Sequence, residues 1–347
     1  MINFWILVII SFTGTFYVLP HSIRKLGEAG YVARDMYKQD KPSIPTNAGI
    51  IVLFTSFISI SLLPLIVRFI NLISPSETSI SDLSEINLAL LLVVSVYGLY
   101  GLVDDLVDIS RKLKIILPIT FGFPLISLIN PNYIWIPILG NFDLMTPFYS
   151  GVLWNDIFRI SVVPVYIMVV SNLVNMHSGY NGLQSGLSII ILSALLIKSF
   201  LDGILISILP AGAFLGAMIA FWYFNKYPAK VFEGNIGSLL FGSLIGSIIV
   251  IQQYWWFGFF ILIPHTINFL LWVYWLFKMH TNPEKYLDAN GSHSKFGYTN
   301  SNGILVVPNV LTLKWIPSHF WEIGEKQSTI MMYSISLLFC IIGVILI

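Results

Sequence analysis

The stretch Leu88-Ala89-Leu90-Leu91-Leu92-Val93-Val94-Ser95-Val96-Tyr97-Gly98-Leu99-Tyr100-Gly101-Leu102-Val103-Asp104-Asp105 decides the class of this chain. About 20 predominantly apolar residues cross a bilayer as a helix. Here the apolar run ends on two adjacent carboxylates. Such a pair is costly at a membrane boundary, and a divalent metal, a bound cation or phosphate chemistry is what gains from it.

The remainder of the sequence has the same character. Of its 347 residues 56% are hydrophobic and 10% charged, whereas soluble domains carry about 25% charge. Ten apolar segments are expected to span a membrane: 2–20, 47–71, 87–103, 114–130, 160–175, 186–201, 203–224, 236–252, 254–277 and 329–347. Asp202-Gly203 and Pro210 are the only interruptions that divide 186–224. The first segment has its basic cluster after it and no small-residue cleavage site, so it reads as a membrane helix rather than a cleaved signal. Cys340 is the single cysteine and lies inside the last segment, which leaves no intrachain disulfide.

Basic residues alternate sides. Arg24, Lys25, Arg34, Lys38 and Lys41 share one side with Arg111, Lys112 and Lys114, with Lys226 and Lys230, and with Lys278, Lys285, Lys295, Lys314 and Lys326. The opposite loops carry mainly Glu77, Asp82, Glu85, Asp143, Asp156 and Arg159, with Arg68 and Lys198 as exceptions. The positive-inside rule puts the basic loops, and Asp104-Asp105 with them, in the cytoplasm. The expected fold class is therefore an all-α polytopic membrane protein of about ten helices. Its domain is a single one over 1–347, with a cytoplasmic insertion at 278–328. Within that insertion, Ser294–Thr299 and Ile304–Val307 flank Asn300-Ser301-Asn302-Gly303, a hairpin signal. The 131–158 loop is rich in Pro, Trp, Tyr and Phe, which suits an interfacial segment.

Polar and glycine-rich patches gather on the basic side, at 34–49, 104–114, 172–186, 231–238 and 278–297. A channel would distribute polar groups through the membrane depth; one-sided clustering suggests an active site. Asp104-Asp105-Leu106-Val107-Asp108 with Lys114 can hold a metal shell and a phosphate, and a solvated helix end accounts for it as well. Asn172 and Asn175 share a helical face ahead of the turn at Asn181-Gly182. Amide oxygens are legitimate Mg²⁺ ligands; helix capping is the alternative. Val231-Phe232-Glu233-Gly234-Asn235-Ile236-Gly237-Ser238 prefaces a helix N-terminus, which attracts phosphate or simply caps the helix.

Taken in order, these three patches resemble the polyprenyl-phosphate N-acetylhexosamine-1-phosphate transferases over nearly the whole chain. The likeness is strongest to the eukaryotic and archaeal UDP-GlcNAc:dolichyl-phosphate GlcNAc-1-phosphate transferase branch. Arg34-Asp35-Met36-Tyr37-Lys38 with Pro45-Thr46-Asn47-Ala48-Gly49 is similar to its nucleotide-binding first loop. Gly101-Leu102-Val103-Asp104-Asp105 with Leu113-Lys114 and Leu117-Pro118 is similar to its acidic motif. Ser178-Gly179-Tyr180-Asn181-Gly182-Leu183 is similar to its AGxNGL form, and His280-Thr281-Asn282-Pro283 to its His-x-x-Pro stretch. The resemblance implies transfer of a HexNAc-1-phosphate, GlcNAc-1-phosphate foremost, from a UDP-sugar donor to dolichyl or polyprenyl phosphate. It implies Mg²⁺, or Mn²⁺, held by Asn175 and Asn235. Asp104, Asp105 and Lys114 become catalytic, with Lys114 and Asn172 at the lipid phosphate. Asp35, Met36, Thr46, Asn181, Phe232, Glu233 and His280 become the nucleotide-sugar site. It also implies a lipid bilayer and no nucleic acid as partners, allows a homodimer, and points to an archaeal plasma membrane ahead of an endoplasmic reticulum. A polysaccharide-pathway transferase for another UDP-HexNAc, a transporter using Asp104 and Asp105 for ion coupling, and a catalytically inert relative are the competing expectations. Two departures stand out. Asparagine occupies position 235 where the family has aspartate, and Met279 and Thr281 flank His280 where it has arginines.

Overall fold

The computed structural model describes residues 2–73, 84–107, 109–110, 112–136, 139–282, 284 and 296–347. Asp108, Arg111, Pro283, Lys285, Lys295, Ser294 and the acidic loop residues Glu77 and Asp82 lie outside the described residues.

All ten apolar segments become helical, but not all become full spans. α1 (Ile2–Glu28), α2 (Gly49–Ile73), α3 (Glu85–Val107), α5 (Trp154–Met176), α6 (Leu183–Leu201), α8 (Gly234–Ile251) and α12 (Glu325–Leu346) are each long and apolar enough to cross a membrane. The ninth segment is a bent pair, α9 (Trp255–Ile261) and α10 (Ile263–Thr281), with 63° between them. Two segments are shorter than expected. α4 (Leu113–Phe121) stops at Gly122 and continues only as a 3-10 turn over Phe123–Leu125. α7 (Ala211–Asn225) begins after Pro210, because Gly203 turns the chain with a left-handed φ of 74° and a 3-10 turn fills Leu205–Ile208. A proline at the first turn loses no helical hydrogen bond, which is why the helix starts there.

α8 is the centre of the bundle. Every residue from Ile236 to Ile251 is buried, as an all-round apolar helix requires. Without a hydrophobic force between helices in lipid, association depends on close packing of small residues. Two glycine contacts fix the α8 N-terminus. A β-carbon on Gly101 of α3 would lie 2.4 Å from the Asn235 carbonyl oxygen, and one on Gly49 of α2 would lie 2.4 Å from the Gly237 α-carbon. Polar ties across helices reinforce the bundle: the Thr15 and Thr55 hydroxyls meet at 2.6 Å between α1 and α2, and Ser59 donates to the Leu7 carbonyl at 3.1 Å.

The helix ends that carry the polar patches lie at one end of the bundle. There, β1 (Val32–Arg34) and β2 (Ser43–Pro45) form a hairpin with Val32 opposite Pro45. The predicted hairpin of the last loop is present as β7 (Tyr298–Thr299) and β8 (Leu305–Val306), with Thr299 opposite Leu305. It is followed by a six-residue helix, α11 (Trp315–Phe320). A second apolar cluster joins these pieces: Tyr37, Tyr180, Leu183, Leu187, Leu305, Trp315 and Met332. At the other end, the 131–158 loop forms two hairpins rather than a plain interfacial segment. β3 (Tyr133–Ile136) pairs with β4 (Gly140–Asp143), and β5 (Pro147–Tyr149) with β6 (Val152–Leu153). Trp135 holds this loop to α9 through an edge contact with Trp256 at 5.7 Å between centroids.

Replacing Gly101 by alanine forces α3 off α8. Overpacking of this kind costs about 1–3 kcal/mol, so Gly101→Ala should unfold at a lower temperature than wild type in detergent, measured by differential scanning fluorimetry.

Candidate active site

A pocket of about 340 Å³ opens where the α3, α5 and α8 ends meet the first loop, lined among others by Arg34, Asp35, Met36, Thr46, Asp105, Asn175, Phe232, Glu233 and Asn235. Eight residues proposed from sequence, all of these but Arg34, thus line one pocket. The reason is local. The backbone after β2 runs beside the approach to α8: Phe232 N–H donates to the Pro45 carbonyl at 2.8 Å, Ala48 N–H to the Phe232 carbonyl at 3.2 Å and Gly49 N–H to the Glu233 carbonyl at 3.0 Å. Gly234, at φ 70°, makes the turn into α8; a side chain there would strike Asn47 Oδ1 and Asp105 Oδ2.

The acidic pair is held by the α8 N-terminus. Asn235 N–H donates to Asp105 Oδ2 at 2.8 Å, and its side-chain Nδ2 donates to Asp104 Oδ2 at 3.0 Å. Lys114, at the start of α4, pairs with Asp104 Oδ1 at 2.8 Å, and Ile109 N–H caps the same oxygen at 3.0 Å. Asp104 is buried, so two donors and an ammonium are the compensation its charge needs. Spending Nδ2 on Asp104 fixes which end of the Asn235 amide faces away from the acids: its carbonyl oxygen. Asn175 projects from the last turn of α5 into the same pocket. Asn172, one turn back, donates to the Met168 carbonyl at 2.9 Å and does not line the pocket. Among the described residues, no three His, Cys, Asp or Glu side chains cluster closely enough to form a metal site by themselves.

A second network holds the first loop against the helices. Asn181 is buried, and its polar groups are engaged within the protein. Its Nδ2 donates to Asp35 Oδ2 at 3.0 Å, its N–H to Glu325 Oε1 at 2.7 Å, and its Oδ1 accepts from Ala229 N–H at 2.9 Å. Lys38 bridges Asp35, at 3.3 Å, and Glu325. Asn181 thus serves the pocket by fastening Asp35 and Met36 in place. Nothing local in the sequence singles out Glu325: an acid at a helix start reads as an ordinary partner of the helix dipole. His280 is exposed at the α10 C-terminus and does not line the pocket. His177, between Asn175 and the Asn181-Gly182 turn, is buried edge-on against His265, with 4.6 Å between ring centroids.

Glu233 accepts from Asn225 Nδ2 at 3.1 Å. Burial pushes its carboxyl up to about 7, and that hydrogen bond opposes the shift. The protonated form is therefore favoured in the folded state. The stability this contributes is complete below the ordinary value of 4.5 and is lost as pH rises through about 7. In metal-free buffer, Glu233→Gln should gain stability relative to wild type across that window and hold a constant margin above it, read from unfolding temperatures.

A model of glycosyl transferase family 4 matches residues 87–253. The chain is similar to two proteins that carry the name "Putative UDP-N-acetylglucosamine--dolichyl-phosphate N-acetylglucosaminephosphotransferase". One, of Saccharolobus solfataricus, is 28% identical over 351 residues, covering 98% of this chain and 95% of the relative. The other, of Sulfolobus acidocaldarius, is 31% identical over 254 residues, covering 70% and 68%. A phospho-N-acetylmuramoyl-pentapeptide-transferase of Clostridium botulinum is 35% identical over 111 residues, 32% of this chain and 34% of that one.

Proposed function

The chain belongs to glycosyl transferase family 4, and from that membership and the chemistry of the pocket we propose that it transfers N-acetylhexosamine-1-phosphate, GlcNAc-1-phosphate foremost, from a UDP-sugar to dolichyl or polyprenyl phosphate. The observation that carries this reading is the junction of Asp104, Asp105, Lys114 and Asn235 beside a pocket lined by Asn175, Met36, Thr46 and Phe232. The reaction is the first membrane step of a lipid-linked oligosaccharide. The active face is cytoplasmic, in keeping with the basic loops, and the membrane is an archaeal plasma membrane, in keeping with the two archaeal relatives.

An oxygen of the lipid phosphate attacks the β-phosphorus of the donor; the bond from that phosphorus to the bridging oxygen breaks and UMP leaves. A phosphate monoester has a second pKa of about 6, so the nucleophile is already ionised at neutral pH and needs no strong base. The protein's part is positioning and charge neutralisation. Lys114, anchored by Asp104, holds the acceptor phosphate as a point charge. Asp104 and Asp105 orient that lysine and the Asn235 amide. Met36, Thr46 and Phe232 receive the uridine, with Phe232 offering a flat face and Thr46 a hydroxyl. Asn172 and His280 stand outside the pocket, so Asn172 is assigned the mouth towards the lipid phosphate and His280 the outer approach to the sugar.

Mg²⁺ fits the donors present. They are oxygens, hard and few: the outward carbonyl of Asn235 and the amide of Asn175, with Asp105 on the same pocket wall. Mg²⁺ keeps several waters and takes the rest of its shell from one or two protein oxygens and substrate phosphates. When bound, it would neutralise charge on the donor's diphosphate.

Two experiments test the reading. Purified chain in detergent with labelled UDP-GlcNAc, dolichyl phosphate and Mg²⁺ should release UMP. Lys114→Ala should slow that release by about 10²–10³, the loss typical for removing one charge-stabilising group. Absence of turnover with every UDP-HexNAc and polyprenyl phosphate would refute the assignment; wild-type rates in Lys114→Ala would remove the lysine from it. Asn235→Asp sets a third carboxylate beside Asp104 and Asp105. It should lower the unfolding temperature in chelator, regain it with added Mg²⁺, and turn over at lower Mg²⁺ than wild type. A variant that shows no change in metal dependence would strike Asn235 from the metal shell.

A further inference from the structure

Lys314 immediately precedes α11 in the last loop, far along the chain from every motif above. Its ammonium donates to the Ser178 carbonyl. It stands over the rings of Tyr37 and Tyr180, 5.4 and 5.1 Å from their centroids. It lies so close behind Gly179 that a β-carbon on that glycine would sit 2.4 Å from Nζ. Ser178, Gly179, Tyr37 and Tyr180 all line the pocket. A half-buried cation thus lies directly behind the pocket wall.

Among the described residues, that cation has no ion-pair partner. Lys38 is bridged by Asp35 and Glu325, and Lys114 by Asp104. Among the described residues, no carboxylate lies within ion-pair distance of Lys314. Glu325 is the acid that acts on it most, but its oxygens are taken by Lys38 and the Asn181 N–H. The other neighbours are the two phenols and His177, which is buried and held neutral. An ammonium has three donors, and among the described residues one is used. Burial pulls Lys314 down to about 8, the direction expected of a desolvated ammonium. A charge partly withdrawn from water gains from a nearby anion. The pocket lining carries three carboxylates, Asp35, Asp105 and Glu233, against a single cation, Arg34, so a dianion there gains from further positive charge supplied from behind.

We propose that Lys314 is the counter-charge for the diphosphate of the nucleotide donor, acting across the thin wall of Ser178 and Gly179. This rests on the UDP-sugar reading above. It assigns the last loop a part in donor binding, through a lysine that the linear sequence marks only as one of many basic-side residues.

Binding of UDP and of uridine to the full chain in metal-free detergent buffer separates charge from shape. Lys314→Met keeps the length and removes the charge. It should weaken UDP by roughly tenfold and leave uridine unchanged, while Lys314→Arg should retain UDP. Equal loss of both ligands would show a merely structural lysine, and unchanged UDP affinity would also overturn the proposal. Wild-type protein supplies an independent reading should Lys314→Met not fold. At pH 8 UDP is fully ionised, and its arrival should raise the ammonium's affinity for its proton. Calorimetry in two buffers of different ionisation heat should then show proton uptake with UDP and none with uridine. Equal uptake for the two ligands overturns the proposal. Wild type that binds neither ligand instead refutes the donor class, a result distinct from either.

Discussion

The approach of the α8 N-terminus to α2 and α3 is the contact on which everything else depends. It exists because Gly49 and Gly101 have no side chain, so that backbone meets backbone at Gly237 and Asn235. In lipid, such packing is the available source of helix association. Here it also delivers chemistry. Once α3 lies against α8, the first amides of α8 face Asp105, and the side chain of Asn235 reaches Asp104. The charge cost of the acidic pair is then offset by a helix N-terminus and a lysine rather than by water.

The position that departs from the family's pattern sits at this contact. An aspartate at 235 would bring three carboxylates together; asparagine brings a donor to one acid while its carbonyl remains free. The departure therefore trades charge in the site for order in the absence of metal. The first loop is secured separately, by Asn181, Asp35, Lys38 and Glu325, which share buried hydrogen bonds and ion pairs. Each member would be costly alone, and the set is satisfied only when three distant segments are in place.

Much of the candidate site is legible in the linear chain because its polar residues are written as short interruptions of apolar runs. Asp104-Asp105, Asn175 and Phe232-Glu233-Gly234-Asn235 stand out for that reason, and the structure gathers them. The hairpin at 298–306 was legible from Asn300 to Gly303, since turn residues act locally. The span lengths of α4 and α7 were not, because hydropathy does not say where a helix will yield to a 3-10 turn. Nor did a motif disclose that the Asn181 side chain is spent inside the protein, or that Asn172 and His280 stand outside the pocket.

Sequence by itself determined that this is a membrane protein of about ten apolar helical segments, with its polar residues gathered on the basic side of the membrane. Hydropathy and charge are additive along a chain, so they survive without a structure. Only the tertiary structure decided which of those polar residues meet. Glu325 and Lys314 have no distinguishing neighbours in sequence, yet one completes the clasp on the first loop and the other lies half-buried behind the pocket wall. Their significance is the absence or presence of a counter-charge within a few ångströms, and that is a property of three dimensions alone.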